Sequence, residues 1–287
     1  MKKYLLIVAL LATTNFFSQK TYIPDDNFEQ ALINLGYDDV LDDSVNTNTV
    51  AFIETLNISF MGIEDLTGIE DFLSLYYLDC FSNKMSHFDF SQNINLRWIN
   101  CSAGGGSDYP LLSVNVSGCY DLEILYCVGY PIPTPEMMES LDLSTNTALR
   151  ELYCGLNRLS SLDLSNNGSL EVVNCVGNDL SCVNLRNANN FNISYLNLIN
   201  NPNLYCVEVD DADYSESLWF DIDAQTSFSE DCNNDCSSTS SLTELTSSKN
   251  LIQILDMMGR ETSFKPNTPL IYVYDDGSTE KVFTIED

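Results

Sequence analysis

The sequence predicts an α/β solenoid of stacked coils with one short parallel strand per coil. A helical cap is expected at its N-terminal end and a small β-unit at its C-terminal end. Three observations predict it. Cysteine recurs in one frame at Leu78-Asp79-Cys80, Ile99-Asn100-Cys101, Leu125-Tyr126-Cys127, Leu152-Tyr153-Cys154 and Val173-Asn174-Cys175. The spacings of 21, 26, 27 and 21 residues suit coils that bury their apolar edges only by stacking. A second apolar-polar-apolar triplet, such as Leu141-Asp142-Leu143 or Leu162-Asp163-Leu164, recurs between them.

Met1-Lys2-Lys3-Tyr4, the apolar stretch 5–11 and the small Ser18 have the pattern of a secretory signal, expected over residues 1–18. The apolar run is too short to span a bilayer unaided. Residues 19–49 are expected to cap the first coil. Within them Ile23 to Ile33 reads as a short helix with an acidic first turn, stopped at Gly36, with Phe28, Leu32 and Leu35 on one face. The aspartates between Asp38 and Asp43 lack the alternation and the Gly-then-Glu ending of an EF-hand loop, so no metal is expected there.

The coils are expected over residues 50–210. They align as Ile53-x-x-Leu56-x-Ile58, Leu75-x-x-Leu78-x-Cys80-x-x-Asn83-x-Met85, Leu149-x-x-Leu152-x-Cys154-x-x-Asn157-x-Leu159 and Leu170-x-x-Val173-x-Cys175-x-x-Asn178-x-Leu180. This pattern resembles the leucine-rich repeat, with Cys in place of the third apolar residue, and more narrowly the bacterial, internalin-like kind. The resemblance implies the fold and a surface that binds proteins or glycans; fold alone does not choose between them. Seven strands from Leu56 to Leu196 give a stack roughly 30 Å long at the usual strand spacing. Asn83, Asn157, Asn178 and Asn201 are expected to turn inward and satisfy backbone groups of the next coil. The Ser-x-Asn that follows the second triplets at 91–93, 144–146 and 165–167 reads as turn chemistry.

Stacked thiols a strand spacing apart sit wider than the ~3.8 Å usual between the Cβ atoms of a disulfide. Cys80, Cys101, Cys127, Cys154 and Cys175 therefore read as a structural ladder of small apolar filler, with Asn83, Asn157 and Asn178 beside it. Cys119 aligns with Asn93 and Asn146. Cys206 to Cys232 is the first expected disulfide and Cys182 to Cys206 its rival, since spacing does not settle pairing.

Residues 211–236 are expected to close the stack, with Tyr214, Leu218, Trp219, Phe220 and Phe228 as a lid after the triplet pattern is lost. The Ser/Thr-rich stretch 237–248 reads as a linker. Beyond it, Leu251 to Arg260, Pro269 to Gly277 and Lys281 to Ile285 carry strand periodicity, with Asp275-Asp276-Gly277 as a hairpin turn. Asp256-Met257-Met258-Gly259-Arg260, the strand to Tyr274, Gly277 and Lys281 resemble the C-terminal sorting domain of type IX secretion in Bacteroidetes. That resemblance covers residues 249–287. It implies a tail read by the type IX machinery, and delivery outside the cell or onto the outer-membrane surface.

Tyr77, Trp98, Tyr126, Tyr153 and Tyr195 fall on outward strand positions and are the candidate ligand contacts of a concave face. Two coils carry five and six extra residues over the 21-residue period, which puts Tyr109, Tyr130 and Met137 on projecting edge loops as a second candidate patch. The lone His87 reads as an exposed turn residue, matched by Ser161 and Cys182 in other coils. No nucleophile, metal or nucleotide motif stands out, so no catalytic residue, metal or cofactor is expected and the chain reads as a non-enzyme. With 42 acidic and 12 basic residues, the net charge of −30 argues against nucleic acid. The expected function is recognition of a protein or glycan outside the cell. The alternatives are a structural surface component without a ligand and, further off, a polysaccharide-active enzyme.

Overall fold

The computed structural model describes residues 19–104, 109–130, 136–233, 236, 251–256, 260, 262, 270–274 and 279–282. The expected signal (1–18) and linker (237–248) lie outside them, as do the centres of both insertions (105–108 and 131–135). The chain divides into two compact units, residues 1–238 and 239–287. The first is a parallel β-solenoid of leucine-rich-repeat type.

Its N-terminal cap pairs Lys20–Tyr22 antiparallel with Ser44–Asn46 around the helix Asp26–Asn34. Asp25 caps that helix through one carboxylate oxygen, on the Phe28 N–H at 2.8 Å. Its other oxygen accepts from the Glu64 and Asp65 N–H groups, which ties the cap to the coils. The buried Glu29 carboxylate accepts from the backbone of Asp42, Asp43 and Ser44 at 2.9–3.0 Å. The acidic loop is thus folded around a carboxylate by its own amides. Gly36 adopts φ +81°, which stops the helix where expected. Leu35 differs from expectation: it caps the helix end and is 46% exposed, so the buried face is Phe28, Glu29, Ala31 and Leu32. Gly68, at φ +100°, lies so close to the Tyr22 carbonyl that any side chain there would collide with it.

The seven expected strands form one parallel sheet in chain order: Thr55–Asn57, Tyr77–Asp79, Trp98–Asn100, Ile124–Tyr126, Glu151–Tyr153, Val172–Asn174 and Tyr195–Asn197. The register is unbroken, so equivalent residues stand side by side. To this the structure adds a second strand series made by the other triplets. His87–Asp89 pairs with Ser113–Asn115, and Ser161–Asp163, Cys182–Asn184, Cys206–Glu208 and Ser227–Ser229 form a four-stranded parallel sheet. His87 therefore sits at the start of a strand, not in a turn. Leu141–Leu143 is the triplet without strand pairing. There the second insertion intervenes, and Met138 bonds to Leu111 on one side and Arg158 on the other.

The middle residue of each strand in the seven-stranded sheet, from Leu56 to Leu196, is at most 3% exposed. Burying such a side chain contributes about 1.5–3 kcal/mol. Two positions on come Ile58, Cys80, Cys101, Cys127, Cys154, Cys175 and Leu198, all buried. Their N–H groups bond to carbonyls of the next coil at 2.8–3.0 Å. The thiols are unbridged, and the Cys154 and Cys175 sulfurs stand 2.9 Å apart.

The asparagines are buried, but they serve the preceding coil instead of the next. Asn83 donates to the Ile58 and Cys80 carbonyls and accepts from the Met61 and Ile63 N–H groups. Asn178 donates to Cys154 and Cys175 and accepts from Leu159. The reason is directional: the side chain points back over the turn just completed. A parallel set, Asn93, Asn146 and Asn167, donates to carbonyls on the other side of the coils. Cys119 occupies the gap among them, its sulfur 3.3 Å from the Phe90 carbonyl oxygen. The turns belong to the last residue of each strand. Asn57, Asp79, Asn100, Asp89, Asn115, Asp163 and Asn184 each accept the N–H two residues on.

The C-terminal end does not lose the pattern, because Ser227–Ser229 continues the second sheet. The short helix Ala212–Leu218 precedes Trp219 and Phe228, which are buried; Leu218 and Phe220 are exposed and do not form the expected lid. Cys206 is bonded to Cys232, while Cys182 pairs with Cys236 and not with Cys206. Cys182 and Cys206 start neighbouring parallel strands, and the returning segment bridges both instead of letting them pair. The tail thus runs backwards as a strap from the newer coil to the older.

The second unit is an antiparallel three-stranded sheet of Leu251–Asp256, Leu270–Tyr274 and Thr279–Val282. Asp256 ends the first strand and Lys281 lies within the third; residues 257–259 and 275–278, where the hairpin turn was expected, are outside the described set.

Two outcomes follow from the buried polar and thiol columns. Asn178→Ala is expected to lower stability by about 3 kcal/mol in urea unfolding, since it strands backbone groups of two coils. Burial raises the Cys101 and Cys119 thiols from 9.0 to about 12. The folded pKa values being raised, stability is full below pH 9 and declines as pH climbs towards 12, because the unfolded chain loses those protons first. Urea midpoints measured at pH 8 and at pH 10.5 should differ in that direction, by about 1 kcal/mol or more per ionised thiol.

Candidate binding surface

The outward face of the seven-stranded sheet is built by the strand register. Thr55, Tyr77, Trp98, Ile124, Glu151, Val172 and Tyr195 form one column, and Asn57, Asp79, Asn100, Tyr126, Tyr153, Asn174 and Asn197 the next. Four of the five candidate aromatics come together in a continuous stack. Tyr77 and Trp98 lie 4.3 Å apart at 12°, Trp98 and Tyr126 5.6 Å apart at 45°, and Tyr126 and Tyr153 4.3 Å apart at 3°. The stack steps diagonally from the first column to the second because Ile124 takes the first-column place in its strand. Tyr195 stands apart, 40% exposed, beyond the strand that carries Val172 and Asn174; its hydroxyl accepts from Asn197.

All four stacked rings are half-buried. Tyr77 packs face to face on Trp98 and Tyr126 on Tyr153, while the Trp98–Tyr126 contact that joins the two pairs is tilted. Carboxylates flank it. Burial, with Asp79 adding to it, raises the Tyr77 pKa. Burial, then Tyr126 and Glu151, raises that of Tyr153, whose hydroxyl donates to Glu151 at 3.2 Å. These tyrosines are neutral donors at physiological pH. Asn57, Asn100 and Asn174 of the second column have their oxygens held by the turns, and Asn197 donates its amide to Tyr195.

One rim of the sheet carries an alternating ion-pair row. Arg97 lies 3.7 Å from Glu123, and Arg150 lies 3.9 Å from Glu123 and 2.9 Å from Glu171. These exposed pairs contribute little to stability. Their effect is to neutralise the few cations: Lys20, Lys84, Arg158 and Arg186 are likewise paired with acids. Residues 19–236 hold six basic and thirty-four acidic side chains, so the surplus is wholly negative.

The opposite rim carries Phe81, Val128, Val176 and Ile199, with the exposed Phe60 packed edge-on to Phe81 at 5.0 Å. Both insertions leave from this rim. Tyr109 is 39% exposed and Tyr130 half-buried. Met137 is only 9% exposed, too buried for the expected edge contact, and its neighbour Met138 joins the core of the coil. Sequence reasoning missed Phe60, which holds φ +60°. Its offset from the aligned apolar frame was the available signal. Among the described residues no group of three or more His, Cys, Asp or Glu side chains could hold a metal ion. His87 is exposed, with Nδ1 2.8 Å from the Ser113 hydroxyl.

No protein-family model matches the chain, and no curated protein does. Among solved structures it is similar to InlJ from Listeria monocytogenes, whose functional domain includes a cysteine ladder, at 21% identity and a TM-score of 0.27. That match covers 72% of this chain and 62% of that one. The internalin inlF of L. monocytogenes is matched at 18% identity and a TM-score of 0.48, over 70% of this chain and 57% of that one. Internalin C2 of L. monocytogenes is matched at 17% identity and 0.47, over 72% and 87%. The chain thus spans less than two thirds of the first two.

Because each ring–ring contact is worth about 0.5–1.5 kcal/mol, Tyr126→Ala is expected to lower stability by only a few kcal/mol while opening the stack. Trp98 emission and near-ultraviolet circular dichroism should both change in that variant, with the far-ultraviolet spectrum kept.

Proposed function

We propose that the chain is an exported, non-enzymatic recognition protein that binds a protein partner through the aromatic stack and the apolar rim beside it. The observation that carries this reading is the Tyr77-Trp98-Tyr126-Tyr153 stack itself. Rigid tyrosine and tryptophan side chains supply contact area with little entropy to lose on binding. The ring geometry favours protein over glycan. A sugar ring needs an open aromatic face, and the face-to-face pairs Tyr77–Trp98 and Tyr126–Tyr153 spend ring faces on one another. Tyr195, Tyr109 and Tyr130 extend the proposed contact surface.

Two disulfides support an oxidising compartment, hence passage out of the cytoplasm. Residues 1–18 are proposed to direct export, and residues 249–287 to present the type IX sorting signal that leads to the outer-membrane surface or beyond it. The acidic surplus supports a partner with basic patches, met at rates that fall with salt.

The triple variant Trp98→Ala, Tyr126→Ala, Tyr153→Ala tests the reading. Residues 19–236 with and without these changes are compared for capture of surface proteins and for binding to glycan arrays. Loss of protein capture at intact circular dichroism is the expected result. Unchanged binding would favour a structural surface component without a specific ligand.

A further inference from the structure

The C-terminal end of the solenoid carries a cleft of about 350 Å³, separate from the seven-stranded face. Its walls are aromatic. Trp219 is fixed by donating its indole N–H to the Ile193 carbonyl at 3.3 Å, and Phe228 meets it edge-on at 5.6 Å and 63°. Phe220 forms a third wall and is 75% exposed. Glu216, on the short helix, lines the same cleft and is exposed.

The chain segment that lines the cleft, residues 216–228, carries charge of one sign only. Between Arg186 and Lys249 the sequence has no lysine, arginine or histidine. Asp210, Asp211, Asp213, Glu216, Asp221, Asp223, Glu230 and Asp231 fall in that interval. Asp210, Asp211, Asp223 and Asp231 hold backbone N–H groups, which fixes their charges in place. An anion is repelled from such a cleft. A divalent metal needs converging oxygen ligands, and among the described residues no such group exists. The remaining ligand chemistry is a weakly hydrated organic cation, attracted both by aromatic faces and by the carboxylate.

We propose that this cleft is a second binding site, and that it receives an arginine or lysine side chain of a protein partner. The planar guanidinium suits it best, because it can stack on the exposed ring of Phe220, with the buried Trp219 as the floor of the cleft and the Glu216 carboxylate on the same lining. The site lies at the end of the stack, so a partner held on the strand face could be gripped twice, and each site can fail its test without the other.

The test uses the whole chain and N-acetyl-arginine amide, with N-acetyl-citrulline amide as the neutral isostere, at matched ionic strength. The readout is the Trp219 indole N–H signal in a ¹H–¹⁵N spectrum, assigned by its loss in Trp219→Phe. A saturable shift with the arginine compound and none with citrulline is expected. Phe220→Ala and Glu216→Gln should each weaken it about fivefold. Both side chains are exposed, so the fold is expected to stay, and circular dichroism checks this. The proposal is overturned by the absence of a saturable shift, by an equal shift with citrulline, or by unchanged affinity in both variants.

Discussion

The structure depends on one constraint: coils this short must hide backbone amides and carbonyls where water cannot reach. A buried peptide group without a partner is destabilising, and there are two turns to satisfy in every coil. The chain answers with asparagine. One column, Asn83, Asn157, Asn178 and Asn201, serves the turns after the first strand series. A second, Asn93, Asn146 and Asn167, serves the opposite side. Each amide bonds to two coils at once, so one coil's conformation is fixed by its neighbour. The thiol column fills the space between the strands and the asparagines with a side chain small enough for both.

That constraint also makes the candidate surface. When every coil repeats its register, outward residues fall a strand spacing apart, and planar rings at that separation stack. The 4.3 Å separations of Tyr77 from Trp98 and of Tyr126 from Tyr153 follow from strand pairing before any ligand is considered. The rings are held rigid by one another, and a rigid surface loses little entropy on binding. The stack is therefore a product of the scaffold, and its rigidity is what the proposed contact role draws on.

The periodic parts were legible because they obey a local rule. Seven inward residues, five ladder cysteines and the outward columns all follow from one alignment, while Cys206–Cys232 was the first of two pairings that position left open. What was not legible depends on chain direction or on distant segments. The asparagines serve the preceding coil because the side chain points back, which a spacing pattern does not encode. The Cys182–Cys236 bridge needs the tail to reverse over two strands, and no repeat signals a reversal. Met137 was read as exposed because it lies in an insertion. Insertions that rejoin a coil must bury something on the way back, and here Met137 and Met138 are what they bury.

The most direct test of stacked register is chemical access to the thiol column in the native protein. With the disulfides intact at pH 8, an alkylating reagent is applied and each cysteine is followed by mass spectrometry. The account predicts that Cys80, Cys101, Cys127, Cys154 and Cys175 stay unmodified until denaturant opens the coils. Prompt labelling of Cys127 or Cys154, deep in the stack, at the rate of an exposed thiol would contradict it.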